Sequence, residues 1–450
     1  MTEKAIPGLV TSLAVPTTLS QLITIIYNTA DTYFVSHIGT SASGAVGVSF
    51  ALQSIIQAVG FGVSMGCASL VSRRLGEKKD REAETYANSA VFAAIVLGLL
   101  LTVSGLSCLS PLMRLLGATD TILPFSCAYS RIILMNAPVM CTSFVLNNIL
   151  KSEGEARLSM IGLCAGGLIN IGLDPLFIFT FKMGISGAAL ATVVSQIVSL
   201  TILVFMFRSG RSIIKLRVSA VSKEFSTYWQ LVKIGFPTIC RQGMGSVASA
   251  LLNRGAALYG GEFADASVAA VTISNKIYML VRSMMIGIGQ GFQPIAGYNY
   301  GAKLYSRVKK AFWFSVLAGT CICTAASVAI GLNTGAIIRW FRDDPKVVEI
   351  GALALTFAAA VMPLMAYSTF VNQLYQCLGF SLWASVLASC RQGIFFIPII
   401  LLLPRAIGLM GVQMAQPAAD LMTFLVSVPF QIVFFKTVLN KQDAGLPRPE

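Results

Sequence analysis

Charge is scarce in this chain. Only 12% of its 450 residues are Asp, Glu, Lys or Arg, while 55% are hydrophobic. A soluble domain carries about 25% charged residues, so composition excludes a string of soluble domains, whatever the length suggests. Histidine is nearly absent, His37 being the single one. With one imidazole at a predicted loop, general acid–base and zinc chemistry have little to work with. No HExxH, no nucleophile-and-His set and no P-loop occurs, which argues against an enzyme and against ATP-driven export. No cofactor is expected. Ten cysteines (67, 108, 127, 141, 164, 240, 321, 323, 377 and 390) lie mostly inside apolar runs and form no CxxC pair. They read as small buried hydrophobes rather than a disulfide or metal framework. The first apolar run lacks a small-residue cleavage site and reads as retained.

What the chain has in abundance is long apolar runs, with a mean hydropathy of +0.75. A membrane-spanning helix needs about 20 such residues. Twelve are expected, at 10–36, 44–71, 86–110, 124–150, 158–181, 184–207, 228–254, 264–292, 309–333, 350–378, 383–404 and 408–435. The fold class is therefore an all-α polytopic membrane protein. The net charge of +14 follows the segments between spans. With a cytoplasmic N-terminus, the inside segments hold 21 of the 33 basic residues. They are Lys4; Arg73, Arg74, Lys78, Lys79 and Arg81; Lys151 and Arg157; Arg208, Arg211, Lys215, Arg217, Lys223 and Lys233; Lys303, Arg307, Lys309 and Lys310; Lys436, Lys441 and Arg448. The outside segments hold seven. Basic residues favour the cytoplasmic side, which places both termini there. These charges set topology and meet anionic lipid; they are not a nucleic-acid surface.

The two halves resemble each other at an offset of about 225 residues. Pro138 matches Pro363, Asn147 matches Asn372, Gly154 matches Gly379, and Lys78 matches Lys303. Gly62, Gly66 and Gly76 match Gly287, Gly291 and Gly301. With small slips, Pro16 matches Pro237, and Gly184 and Gly187 match Gly408 and Gly411. The longest polar linker, Arg208 to Ser226, lies between the copies. Two lobes are expected, 1–218 and 219–450, each a six-helix bundle. Six spans per copy keep the same orientation, so the repeats are parallel, an arrangement suited to alternating access around a central cavity.

Two carboxylates interrupt the apolar runs. Asp31 lies in the first span, and Asp174 lies in the string Asn170-Ile-Gly-Leu-Asp174-Pro175 of the fifth. A charge inside a span is expensive, and such residues are usually functional. Asn170 and Asp174 are four apart and share a helix face. Pro175 has no N–H, so the carbonyl near Ile171 loses its donor. Two carboxylates, a carboxamide and a free carbonyl are oxygen ligands suited to a proton or a hard cation. Two acids brought together disfavour joint ionisation, and H⁺ or Na⁺ relieves them. The second half carries no copies: Asp31 meets Leu252, and Asp174 meets Ile397 to Ile399. Cation chemistry is thus expected in the first half only.

Three stretches carry a family resemblance. They are Pro16-Thr-Thr-Leu-Ser-Gln-Leu with Tyr27-Asn-Thr-Ala-Asp31, then Asn170-Ile-Gly-Leu-Asp174-Pro-Leu-Phe with Gly184-Ile-Ser-Gly-Ala-Ala-Leu-Ala-Thr192, and Gly287-Ile-Gly-Gln290-Gly-Phe-Gln293-Pro. The chain resembles a multidrug and toxic compound extrusion (MATE) antiporter of the bacterial DinF-like branch. The resemblance implies a secondary active exporter of cationic or amphipathic compounds against H⁺ or Na⁺, in the bacterial plasma membrane. It implies a monomer whose partners are small amphipathic molecules and lipids. It also implies a cation site at Asp31, Asn170, Asp174 and Thr192, with the Ala188 carbonyl, and Asn147 as a further polar member. A flippase or exporter of an anionic lipid-linked substrate, sharing the same superfamily architecture, is the alternative.

Other residues carry two readings each. Pro16 is a hinge or a tolerated kink. Met279 and Phe292, with Phe144 and Tyr375, line a soft drug cavity or fill the core. Gln290, Gln293, Asn372 and Gln373 are better cavity candidates, because buried carboxamides want partners. Lys276, Arg282, Arg131, Arg241 and Arg391 receive an anionic substrate, snorkel, or pair with Asp420. Lys276 and Arg282, six apart, do not share one helix face well, and the substrate's charge stays open.

Overall fold

The computed structural model describes residues 1–440, leaving the C-terminal Lys441 and Arg448 outside the described residues. Sixteen α-helices follow in chain order. They are α1 (Ile6–Ser36), α2 (Thr40–Gly76), α3 (Asp80–Ser107), α4 (Leu109–Leu115), α5 (Leu123–Met135), α6 (Ala137–Glu153), α7 (Ala156–Pro175) and α8 (Gly184–Arg208). Then come α9 (Phe225–Tyr259), α10 (Ala264–Gly301), α11 (Tyr305–Gly331), α12 (Thr334–Phe341), α13 (Pro345–Cys377), α14 (Ser381–Ser389), α15 (Phe396–Ile407) and α16 (Leu409–Phe434). No strand occurs among the described residues.

Among the described residues, nine helices or helix runs are long and apolar enough to cross a membrane, and α5 with α6 makes a tenth, bent by 48°. The bend falls at Asn136, two residues before Pro138, whose ring cannot continue the preceding helix. The other two expected spans are α9 and α10. They are long enough, at 35 and 38 residues, but carry Lys233, Arg241 and Arg254, and Asp265, Lys276 and Arg282. The twelve expected spans are all present as helical segments.

The chain forms two compact units, each with the six-span content of one repeat. The first comprises Met1 and Val15–Ile239, the second Thr2–Ala14 and Cys240 onward. The changeovers fall inside two continuous helices, α1 and α9, each close to its proline, Pro16 and Pro237. The packing within each unit explains the division. In the first, Gly66 of α2 lies directly against the backbone of Leu231 in α9, with no room for a Cβ. In the second, Gly291 of α10 lies directly against Ala14 of α1, where a Cβ would sit 2.6 Å from the amide nitrogen. Gly66 and Gly291 are 225 apart, so the same contact is made twice.

The repeat extends to backbone detail. Lys78 and Lys303 both take positive φ, 60° and 59°. Each ends its helix with the same pair of bonds: Lys78 N to Leu75 O and Lys79 N to Arg74 O, matched by Lys303 N to Tyr300 O and Leu304 N to Asn299 O. That is the paired closure by which a left-handed residue satisfies the last carbonyls of a helix. Gly154 and Gly379 occupy left-handed positions at φ 95° and 87°. Asn147 donates to the Ser159 carbonyl at 3.0 Å, and Asn372 donates to the Ala384 carbonyl at 2.7 Å. Each amide thus clamps a helix to its successor across the left-handed glycine. The short helices α4 and α12 begin 225 apart as well.

Candidate functional site

Asp174 and Asn170 sit near the C-terminal end of α7. The carboxylate is completely buried, and its Oδ1 accepts from Asn170 Nδ2 at 3.2 Å. Pro175 removes the donor to the Ile171 carbonyl, and the chain rewinds as a π-helical turn over Leu176–Thr180. The sequence Asp174-Pro175 therefore makes both the acid and the helix irregularity beside it.

Small residues bring the neighbouring helices in. A Cβ on Gly167 would lie 2.9 Å from the Tyr27 ring and 3.3 Å from Ile23, so α1 crosses α7 closely, one turn before Asn170. On the adjoining side, a Cβ on Gly166 would lie 3.1 Å from the Ser195 carbonyl of α8, and Ser199 donates to the Gly162 carbonyl at 2.7 Å. This packing sets Asp31 of α1 within electrostatic reach of Asp174. Thr192 of α8 donates to the Ala188 carbonyl at 3.1 Å, one turn back.

Asp31 Oδ1 and Asp174 Oδ2 are both shielded from solvent, and neither has a hydrogen-bond partner. Buried polar atoms are normally satisfied, so two orphan carboxylate oxygens in one group mark a place for a proton or a hard cation. Among the described residues no three His, Cys, Asp or Glu side chains gather. Two carboxylates with amide, hydroxyl and carbonyl oxygens favour H⁺ or Na⁺ over softer metals.

Two tyrosines join this group that sequence reasoning did not assign to it. Tyr129 of α5 is buried, lies close to Thr192, and feels both Asp31 and Asp174. Tyr27 interacts with Asp31 one helical turn away. An aromatic in an apolar run reads as core, and only the spacing of Tyr27 and Asp31 hinted otherwise. Asn147 does not join them. Its amide is committed to Ser159, eleven residues before Asn170, roughly 16 Å along the α7 axis.

The second unit gathers a different cluster. Arg391, on a π-helical turn (Cys390–Ile394) between α14 and α15, pairs with Asp420 of α16 at 2.7 Å. Tyr278 of α10 hydrogen-bonds to both of them. Gln416 donates to Asp420 Oδ1 at 3.1 Å. Arg282 faces Gln392 and lies near Arg391 and Arg241. Lys276, on the same helix as Arg282, is exposed, as are Met279 and Arg131.

The remaining cavity candidates separate clearly. Phe292 is wholly buried between Phe312 and Phe370, with ring centroids at 6.4 and 6.0 Å, and is core. Asn372 is spent on its helix clamp. Gln373 is buried, with its carboxamide filling the space over Gly289 and its Oε1 unpaired. Gln293 is buried with an unpaired Nε2, and Gln290 is buried nearby on α10. Pro16 is buried, and its carbonyl accepts from Ser20 at 2.9 Å. All ten cysteines are free thiols, but Cys108 and Cys321 are exposed rather than buried.

A doubled six-span helical unit, with two acids inside the spans of one copy and three arginines inside those of the other, is the architecture of a polytopic transporter. The family model MatE matches residues 16–176 and 251–402. The chain belongs to the MATE family, whose members are multidrug efflux transporters and not enzymes. It is similar to the multidrug export protein MepA of Staphylococcus saprophyticus, 24% identical over 400 residues, covering 89% of this chain and 87% of that one. The MepA of Staphylococcus aureus (strain NCTC 8325) is also 24% identical over 403 residues, with coverage of 89% and 87%. A solved MATE structure in complex with MaL6 shares the fold at a TM-score of 0.92 and 23% identity, covering 97% and 98%. An outward-facing multidrug resistance MATE transporter does so at 0.91 and 23%, covering 97% of each chain.

Proposed function

We propose that the chain exports amphipathic organic compounds in exchange for H⁺ or Na⁺, by alternating access, with Asp31, Asn170 and Asp174 as the coupling site. Thr192 and the Ala188 carbonyl complete the oxygen set. Asn147 acts on it from a distance by fixing α6 to α7. The observation that carries this reading is the pair of solvent-shielded, unpaired oxygens on two neighbouring acids, Asp174 fully buried and Asp31 half-buried. Binding a cation neutralises the pair, and so biases one of two conformations against the other; drug binding biases it back. Of the two lobes expected at 1–218 and 219–450, the first, with the helix starts of α1 and α9 exchanged, carries coupling, and the second contributes amides and positive charge to the substrate. The chain works as a monomer in the bacterial plasma membrane with both termini cytoplasmic.

The test is dye efflux from loaded cells or inverted vesicles under separately imposed H⁺ and Na⁺ gradients, wild type beside Asp31→Asn. The variant loses export under whichever gradient drives the wild type. Undiminished export by Asp31→Asn under both gradients would refute the coupling role.

A further inference from the structure

The second unit concentrates positive charge where a membrane protein least tolerates it. Arg241, Arg282 and Arg391 lie on α9, α10 and the π-helical turn Cys390–Ile394, each well inside its helical segment. Arg391 is ten residues from the start of Ser381–Ile407 and sixteen from its end, about 15 and 24 Å along the axis. Arg282 lies midway along α10. Guanidinium groups stay charged in proteins, so the unit cannot shed this charge by losing protons.

Asp420 forms an ion pair with only one of the three, although Arg282 also lies within reach of its charge. Its Oδ1 takes Arg391 at 2.7 Å and Gln416 at 3.1 Å, and its Oδ2 takes the Tyr278 hydroxyl. Arg282 has only a neutral partner besides: with the Gln392 amide oriented by its surroundings, Gln392 accepts from Arg282 Nη1 at 2.8 Å and donates to the Arg241 carbonyl at 3.3 Å. Arg241 has no hydrogen bond or ion pair to its guanidinium among the described residues, and its electrostatic neighbours are Arg391 and Arg282, both cations. All three arginines are partly rather than fully buried, so the cluster is reachable. Three guanidinium charges therefore face one carboxylate in mid-span, and two of them have no ion pair.

We propose that Arg241 and Arg282, braced by Gln392 and the Arg391–Asp420–Tyr278 group, bind an anionic oxygen group, a carboxylate or phosphate, carried by the exported molecule. The planar forks of two guanidinium groups match such an oxyanion with charge-assisted bonds. Asp420 keeps Arg391 occupied, so the open valence falls on the other two. Mid-span depth favours a molecule taken into the protein over the headgroup of a bilayer lipid, which stays at the interface. This deepens the export reading, since it assigns the cargo a negative group in addition to its apolar body.

The probe is a matched pair of amphipathic fluorophores, a xanthene dye with a free carboxylate and its ethyl ester. Binding to the purified full chain is read at equilibrium by fluorescence anisotropy, with no ion gradient, in nanodiscs of phosphatidylcholine. The wild type binds the carboxylate form about tenfold more tightly than the ester, the scale of a charge-assisted bond lost. Arg241→Gln and Arg282→Gln each erase that preference and leave ester binding unchanged. Arg282→Lys, which keeps charge but not the fork, retains part of it and covers the case in which a neutral variant fails to fold. Equal binding of the two dyes by the wild type overturns the assignment. So does a preference abolished by adding phosphatidylglycerol to the nanodisc, which would make the site a lipid site. Asp31→Asn keeps the carboxylate preference, so loss of coupling and loss of the anion site are read separately.

Discussion

Asp174→Asn should stabilise the protein while disabling it. The wild-type carboxylate is fully buried and gives one oxygen to Asn170, while the other meets nothing. An asparagine fits the same volume, presents its carbonyl to Asn170 Nδ2, and puts its amide where the orphan oxygen was. The exchange weakens one hydrogen bond from charge-assisted to neutral, a loss of about 1 kcal/mol. It also removes an ionised, fully buried acid from within the apolar span Ala156–Thr180, a gain of about 3 kcal/mol. The net is about 2 kcal/mol in favour of the variant at alkaline pH without Na⁺, where the wild type is ionised. For a unit of this size that is a rise of roughly 4–8 °C in melting temperature. The buried free thiols supply the assay, because Cys67 and Cys141 become reactive to a thiol-sensitive fluorophore only when the first unit opens. Cation-driven dye efflux by the same variant falls to background. A melting temperature several degrees below wild type under those conditions would refute the reasoning, since the charged acid would then be part of the scaffold. Stability gained where activity is lost is the expected sign of a group kept for function.

The paired amide clamps should behave alike. Asn147→Ala and Asn372→Ala each remove the second donor from a helix carbonyl, Ser159 or Ala384, and should destabilise the protein by about 0.5–1.5 kcal/mol, read in the same thiol melt. Gly66→Ala and Gly291→Ala place a Cβ into the backbone of α9 and α1 respectively, which no rotamer change relieves. Both should cut the yield of monodisperse protein in fluorescence-detected size exclusion, whereas alanine at Gly172, which has open space around it, should not.

Much of this architecture is readable from the chain because the membrane simplifies the problem. Twenty-residue apolar runs have one solution, and helix breakers such as Pro138 and Pro363 recur at a fixed offset. Asp31 and Asp174 stand out against apolar neighbours for the same reason. Other features leave no local trace. Tyr129 has the composition of a core residue, and only packing of α5 against α8 brings it to Thr192. Met279 and Phe292 look equivalent in sequence, yet one is exposed and the other sealed among aromatics. A resemblance placed Asn147 with the acids, but its amide donates to the Ser159 carbonyl, well away from them along α7. The arginines of the second half were visible as charges; that Asp420 pairs with one of the three follows only from distances.

The exchange of helix starts at α1 and α9 bears on how the chain is made. The stretch Thr2–Ala14 is synthesised long before the glycine that receives it, Gly291, which lies nearly 280 residues further on. The first unit in turn waits for residues 225–239, which follow the long linker. Neither half can finish by itself in the order of translation, so Thr2–Ala14 is locked only after most of the chain has been made. Chains severed between Arg208 and Phe225 would be complementary fragments rather than separable domains, each lacking a strip of helix that only the other can supply.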